Sequence, residues 1–278
     1  MNKTQIALAT ALIASVSTLA HAQEAAPAAA PAPASDWTFT GNMALSSDYR
    51  TRGISQSDKK PALSGGFDVS HSSGFYFGNW NSNIDSTYYQ GANIEMDFYG
   101  GFKYPVGPVT LDLGAFYYYY PGSGRKASNP IESRGVDNKE IYVAASYSTV
   151  TAKFYYPIGD FFSFQKNSSP TKAGRLKSAE GSYYLDISGS YDLGNGFGLI
   201  GHFGYQKLEG AAKAIQTNST KLAKDYEDWK LGVTYSFANG FVATIAYIDT
   251  SIDTPNVNVS STRSLSGATG VFSLSKTF

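Results

Sequence analysis

Residues 109–120, VTLDLGAFYYYY, place Val109, Leu111, Leu113, Ala115 and Tyr117 on one side of an extended chain. Thr110, Asp112, Gly114, Phe116 and Tyr118 fall on the other. A side-chain period of two marks a strand. A carboxylate in mid-strand, flanked by leucines, requires one wet face and one apolar face. The pattern returns in SYYLDISGSYDL (182–193), where Tyr183, Leu185, Ile187 and Tyr191 alternate with Asp186, Ser188, Ser190 and Asp192. In DWKLGVTYSF (228–237), Trp229, Leu231, Val233, Tyr235 and Phe237 alternate with Lys230, Gly232, Thr234 and Ser236. About twelve such segments follow one another, near 37–48, 61–71, 74–83, 93–104, 109–120, 139–149, 150–158, 182–193, 197–207, 226–237, 241–250 and 268–278. Each is close to the ~10 residues of a membrane-spanning strand.

The connections sharpen the expectation. HSSG (71–74), PVGP (105–108), YSTV (147–150), GNG (194–196) and ANG (238–240) read as tight hairpin turns. Long polar segments near 49–60, 84–92, 121–138, 159–181, 208–225 and 251–267 fall between them, so short and long alternate throughout. The pattern predicts an all-β chain: a single antiparallel transmembrane β-barrel with short periplasmic turns and long extracellular loops. Both chain ends then lie on the periplasmic side, which requires an even strand number. A soluble sandwich or lipocalin-like barrel would turn its large apolar residues inward, and neither predicts this rhythm of connections.

Composition agrees. Only 16% of residues are charged, against ~25% in soluble domains. Aromatics reach 15%, with 21 Tyr and 17 Phe, and Tyr104, Tyr117–Tyr120, Tyr155, Tyr156 and Tyr247 sit near segment ends, where interfacial girdles belong. The 22 basic and 22 acidic residues cancel, which argues against a nucleic-acid partner. Cys is absent. Lys3, the apolar run 6–20 and Ala20-His21-Ala22 predict a secretory signal peptide over residues 1–22. Residues 23–35, QEAAPAAAPAPAS, read as an Ala/Pro-rich linker. The barrel is expected over 36–278. At its end GVFSLSKTF carries Phe272, Leu274 and Phe278 on one face, like the C-terminal signature of bacterial outer-membrane proteins. Phe278 would be read by the outer-membrane assembly machinery. Lys276 shares that face and can snorkel to the headgroups.

Residues 46–85, SSDYRTRGISQSDKKPALSGGFDVSHSSGFYFGNWNSNID, carry Asp48-Tyr49, Arg52-Gly53, Ser55-Gln56, Pro61-Ala62, Gly65, Asp68, Gly74-Phe75-Tyr76 and Trp80-Asn81-Ser82-Asn83. This series resembles the TorF family, bacterial envelope proteins classed as porins. The resemblance implies an outer-membrane β-barrel, without a substrate or binding residues.

With the bulky apolar face turned to lipid, the inner face carries Asp68, Glu95, Asp97, Asp112, Glu140, Asp186, Asp192 and Asp228, against Lys103, Lys153, Lys230 and His202. Such charges are tolerated in water or in pairs. They predict either an aqueous pore lined by charge or a self-neutralised plug of ion pairs. Gly, Ser, Thr and Asn at the other inner positions leave room and favour the pore. In DYRTRGISQSDKKPA (48–62), Arg50 and Arg52 share the parity of Asp48. They are expected to turn inward at the outer rim, pair with carboxylates such as Asp48 or Asp68, and form a constriction. Basic residues in this loop and in 159–181 (Lys166, Lys172, Arg175 and Lys177) would meet anionic solutes or lipopolysaccharide phosphates.

The expected function is a passive outer-membrane pore for small hydrophilic solutes or ions, with membrane lipid and lipopolysaccharide as its surroundings. The alternatives are a closed structural or adhesive barrel acting through its loops, and an outer-membrane phospholipase. No enzyme motif such as G-x-S-x-G, HExxH or a P-loop occurs, and no cofactor is implied. A lipase would need a Ser–His pair at the outer lipid face. His71 adjoins a short turn, and His202 has inner parity and is expected to hydrogen-bond locally. Asp249, Asp253, Asn256 and Asn258 have no regular metal-ligand spacing, so a metal site is not expected.

Overall fold

A computed structural model describes residues 35–124, 135–159, 181–209, 225–252 and 264–278. Fourteen strands lie among them: β1 (Trp37–Ser46), β2 (Arg50–Thr51), β3 (Ile54–Ser55), β4 (Ala62–His71), β5 (Phe75–Asn83), β6 (Ile94–Val106) and β7 (Val109–Tyr119). They continue as β8 (Asn138–Tyr147), β9 (Val150–Pro157), β10 (Tyr183–Gly194), β11 (Phe197–Lys207), β12 (Tyr226–Ser236), β13 (Phe241–Thr250) and β14 (Thr269–Thr277). Twelve close into one antiparallel barrel, in chain order from β4 to β14, with β1 sealing the gap between β14 and β4. β2 and β3 form a separate two-stranded hairpin. Closure satisfies the backbone hydrogen bonds along every edge, which a chain surrounded by lipid requires. Each strand expected from the alternation is present, with ends shifted by at most two residues. The signal-peptide and linker expectations lie outside the described residues, apart from Ser35.

The seam brings the ends together. Asn42 pairs with Thr277 and Ser46 with Ser273, while Trp37 pairs with His71 on the other flank. Gly41 and Phe278 exchange backbone hydrogen bonds. The first strand's start and the last strand's end therefore share the end of the barrel that carries the short turns. We call this the turn end and the opposite rim the loop end.

The apolar residues face outward. Leu113 is 62% exposed, Leu231 65% and Ile245 67%, whereas inward Tyr142 is 2% exposed. Large exposed apolar side chains on every barrel strand make a belt that suits hydrocarbon and not water. Phe272 and Phe278 share that face, and Lys276 lays its ammonium over the Phe241 and Phe278 rings (4.9 and 5.6 Å). Tyr104, Tyr156 and Tyr247 are exposed on the outside, as a girdle requires. Tyr118 and Tyr120, expected in that girdle, are buried inside, and Tyr155 packs against the same interior aromatic cluster.

The interior is fuller than its small residues suggest. Gly78 on β5 pairs with Tyr99 on β6, and Gly114 on β7 pairs with Tyr142 on β8. A methyl group on either glycine would collide with the neighbouring tyrosine ring, as would one on Gly204 with Tyr184. These inward glycines make room for rings, not for solvent. Tyr76, Trp80, Tyr99, Phe116, Tyr118, Tyr120 and Tyr142 form one aromatic cluster along β5 to β8.

Candidate functional site: a hairpin folded into the barrel

β1 ends at Ser46, and the chain does not continue as a strand past Asp48. It folds back into the barrel mouth as the β2–β3 hairpin. Asp48 organises this fold. Its Oδ1 accepts from the Ser55 and Ser57 hydroxyls (2.6 and 3.2 Å), and its Oδ2 accepts from Arg50 Nε (2.7 Å). Gln56 N donates to Tyr49 O and Ser55 N to Leu265 O, closing the hairpin and tying it to the segment before β14. Arg50 Nη1 donates to Gly53 O and Gly267 O (3.0 and 2.9 Å). Lys60 pairs with Asp58 and reaches Asp85 in the next loop (2.8 Å).

The tip of the hairpin needs two left-handed residues, Arg52 (φ 48°) and Gly53 (φ 78°). Gly53 lies so close to Asp228 and Thr250 that a Cβ would come within 2.8 Å of each residue's Cβ. Glycine is the residue that combines this conformation with so close an approach. The tight fit sends the Arg52 side chain across the barrel. Its Nη2 donates to both carboxylate oxygens of Glu140 on β8 (2.7 and 3.0 Å), and its Nη1 donates to Gln206 Oε1 on β11 (2.7 Å). The guanidinium stacks over Tyr184 at 4.3 Å. Burial opposes the charge on Arg52, but Glu140 and the surrounding tyrosines hold the guanidinium well above its ordinary value, so it stays a cation. A guanidinium held by two side chains through separate nitrogens and stacked on a ring is a rigid strut.

The expected residues are distributed in tiers. Asp48 and Arg50 pair as anticipated, but Arg52 takes Glu140 rather than Asp48 or Asp68, because its left-handed backbone points it over the opposite wall. Glu95 accepts from the Tyr49 hydroxyl (3.1 Å), and Asp97 is buried on the same face of β6. Below them His202 lies between Asp228 (Nε2, 2.8 Å) and Asp186 (Nδ1, 3.2 Å), with Tyr184 donating to Asp228 (2.9 Å). This is the local hydrogen bonding expected of His202. Nearer the turn end Asp112 accepts from Tyr76, which also hydrogen-bonds Tyr142, and Asp68 accepts from Tyr99. Lys103 and Lys153 lie over the Tyr76 and Tyr142 rings. Lys230 lines the cavity beside Asp228 and His202. Asp192 is not part of the packed interior: it is exposed beside the 194–196 turn and accepts from Gly194 N. Loop residues 160–180 lie outside the described residues, as do Asp253, Asn256 and Asn258.

Gln206, Tyr184 and Tyr142 were not singled out by the sequence reading, and Tyr118 was expected in the outer girdle rather than the interior. The signal was there for two of them: an inward Tyr placed opposite or diagonal to an inward Gly on the adjacent strand. The hairpin and the barrel wall enclose a cavity of about 90 Å3. Its lining includes Arg50, Arg52, Asp97, Lys153, Asp186, His202, Asp228 and Lys230, with Phe116, Tyr118, Tyr155 and Tyr184.

The model of a bacterial protein family of unknown function, Gcw_chp, matches residues 30–278. The chain belongs to the Gcw_chp family. The resemblance to TorF porins is thus met at the coarser level of a bacterial family. No curated protein matches this Gcw_chp chain. Among solved structures it is similar to the KdgM porin in complex with disordered oligogalacturonate, at 7% identity and TM-score 0.48, over 87% of this chain and 98% of that one. It is similar to the NanC porin at 11% identity and TM-score 0.46, over 87% and 99% of the two chains. It is also similar to OccK5 (OpdH) of Pseudomonas aeruginosa at 14% identity and TM-score 0.40, over 87% and 67%. Likenesses at this level transfer no residue role to the Gcw_chp barrel.

Proposed function

We propose that this Gcw_chp protein is an outer-membrane porin of the TorF type, letting small hydrophilic solutes or ions diffuse passively, with the β2–β3 hairpin as its constriction. The observation that carries the reading is the Arg52 strut. A closed barrel with an apolar exterior has folded one loop into its own polar interior and fixed it there by Glu140, Gln206 and Tyr184. A barrel that served only as a scaffold would have no need of a polar arm spanning its mouth. Charged rings inside a pore select ions by sign, and the mixed set around the cavity would do so here. No chemistry beyond transport is assigned, and lipid, lipopolysaccharide and the permeating solutes are the partners this reading requires.

A second reading, a closed barrel working through its loops, is favoured by the tyrosine rings seated over inward glycines. One measurement separates the two. Refolded mature protein is placed in a planar bilayer under a salt gradient. The channel reading expects discrete conductance steps with a measurable ion preference, and larger steps for Arg52→Ala. Silence from both proteins would establish the closed barrel instead. Conducting wild type with an unchanged Arg52→Ala would remove the strut from the constriction.

A further inference from the structure

Lys153 is a cation of the cavity wall whose needs the protein does not meet. It sits on β9 at 6% exposure, and an ammonium so far from bulk water is costly without a counter-charge. Two carboxylates are near in register. Asp186 is its direct partner on β10, and Asp112 lies one strand further along on the other side, opposite Ala144. Both are occupied elsewhere: Asp186 by His202 and Ser188, and Asp112 by Tyr76. Among the described residues Lys153 has cation–π contacts with Tyr142 (4.4 Å) and Tyr155 (5.4 Å), and no ion pair or hydrogen bond. It lines the cavity under the Arg52 strut.

We infer that this cavity binds a small hydroxylated monocarboxylate, gripped through the Lys153 ammonium. Three features select that class. The ligand is anionic, because Lys153 is a cation with no ion pair of its own among the described residues. It is a monoanion, because Asp97, Asp186 and Asp228 line the same cavity and would repel a second negative charge. It is compact and hydroxylated. About 90 Å3 holds several water-sized groups, and the walls offer Thr51, Ser188 and carboxylates for hydroxyls. Phe116, Tyr118, Tyr155 and Tyr184 supply rings for its C–H faces. The inference deepens the channel reading, resting on it in placing the cavity on the solute's path.

The probe is glycerate, with the neutral polyol glycerol as its uncharged match. Binding to full-length mature barrel in detergent is followed by titration calorimetry. Glycerate is expected to bind and glycerol not to. Lys153→Met is expected to weaken glycerate by roughly tenfold or more, the worth of one charged hydrogen bond, with Lys153→Arg restoring most of it. The arginine variant keeps the test decisive should the methionine variant fail to fold. Equal binding of glycerate and glycerol, or indifference to both substitutions, overturns the site. Bilayer conductance is read separately on wild type: a silent barrel that binds glycerate through Lys153 removes the channel reading and keeps the site. A conducting barrel that ignores glycerate does the reverse.

Discussion

Gly114 faces the barrel interior on β7, directly opposite Tyr142, and that pairing says why so many small residues line a lumen that is nonetheless full. Gly78, Gly114 and Gly204 each give a neighbouring tyrosine ring its seat. Gly114→Ala forces Tyr142 off its position, which hydrogen-bonds Tyr76 and lies under Lys153. A loss of about 1–3 kcal/mol, the usual cost of overpacking, is expected in urea unfolding of the refolded barrel. Gly201 on β11 has open space where a Cβ would go, so Gly201→Ala should stay within about 0.5 kcal/mol of wild type. Equal effects from the two would mean that the rings do not depend on the gaps. Arg52 shows the same economy. One left-handed residue aims a fork of donors across the mouth, and lysine could not reproduce its planar reach to Glu140 through one nitrogen and Gln206 through the other.

At the scale of the element, the β2–β3 hairpin is held in place from several sides. Asp48 gathers Arg50, Ser55 and Ser57, the backbone ties the hairpin to Leu265 and Gly267, and Lys60 bridges to Asp85. Its most sensitive point is Gly53, packed against Asp228 and Thr250. Gly53→Val adds a branched side chain where neither the φ angle nor the wall allows one. The expected outcome is expulsion of the hairpin, with single-channel conductance raised at least as far as in Arg52→Ala, because all of the hairpin leaves and not one side chain. Conductance equal to wild type would show that the hairpin does not obstruct the lumen. The barrel strands themselves are unaffected, since each is paired on both sides.

The whole molecule is a closed sheet turned inside out relative to a soluble protein: leucine, isoleucine and phenylalanine outside, carboxylates, lysines and tyrosines inside. Closure makes that inversion possible, because it leaves no strand edge to be hydrated. Leu231 lies in the middle of β12 on the outer face. Leu231→Arg is expected to cost about 2–4 kcal/mol of membrane-inserted stability, seen as a lower folded yield on refolding into bilayers. A wild-type yield would mean that this face does not meet hydrocarbon.

The sequence by itself determined the strands, their number and which side of each is apolar. A period of two is a local property, and each alternating run carries it without reference to any other. It also determined the long–short order of connections, and with it the shared end of the two termini. What it left open was what fills the lumen and where 48–57 goes. Parity places Arg52 and Glu140 on inner faces, but 88 residues separate them. Only closure of the sheet brings β8, β10 and β11 around one hairpin tip. Likewise Gly78, Gly114 and Gly204 look like empty space until register sets a tyrosine against each. Which groups meet across a barrel depends on its circumference and stagger, and those are properties of the assembled ring rather than of any strand in it.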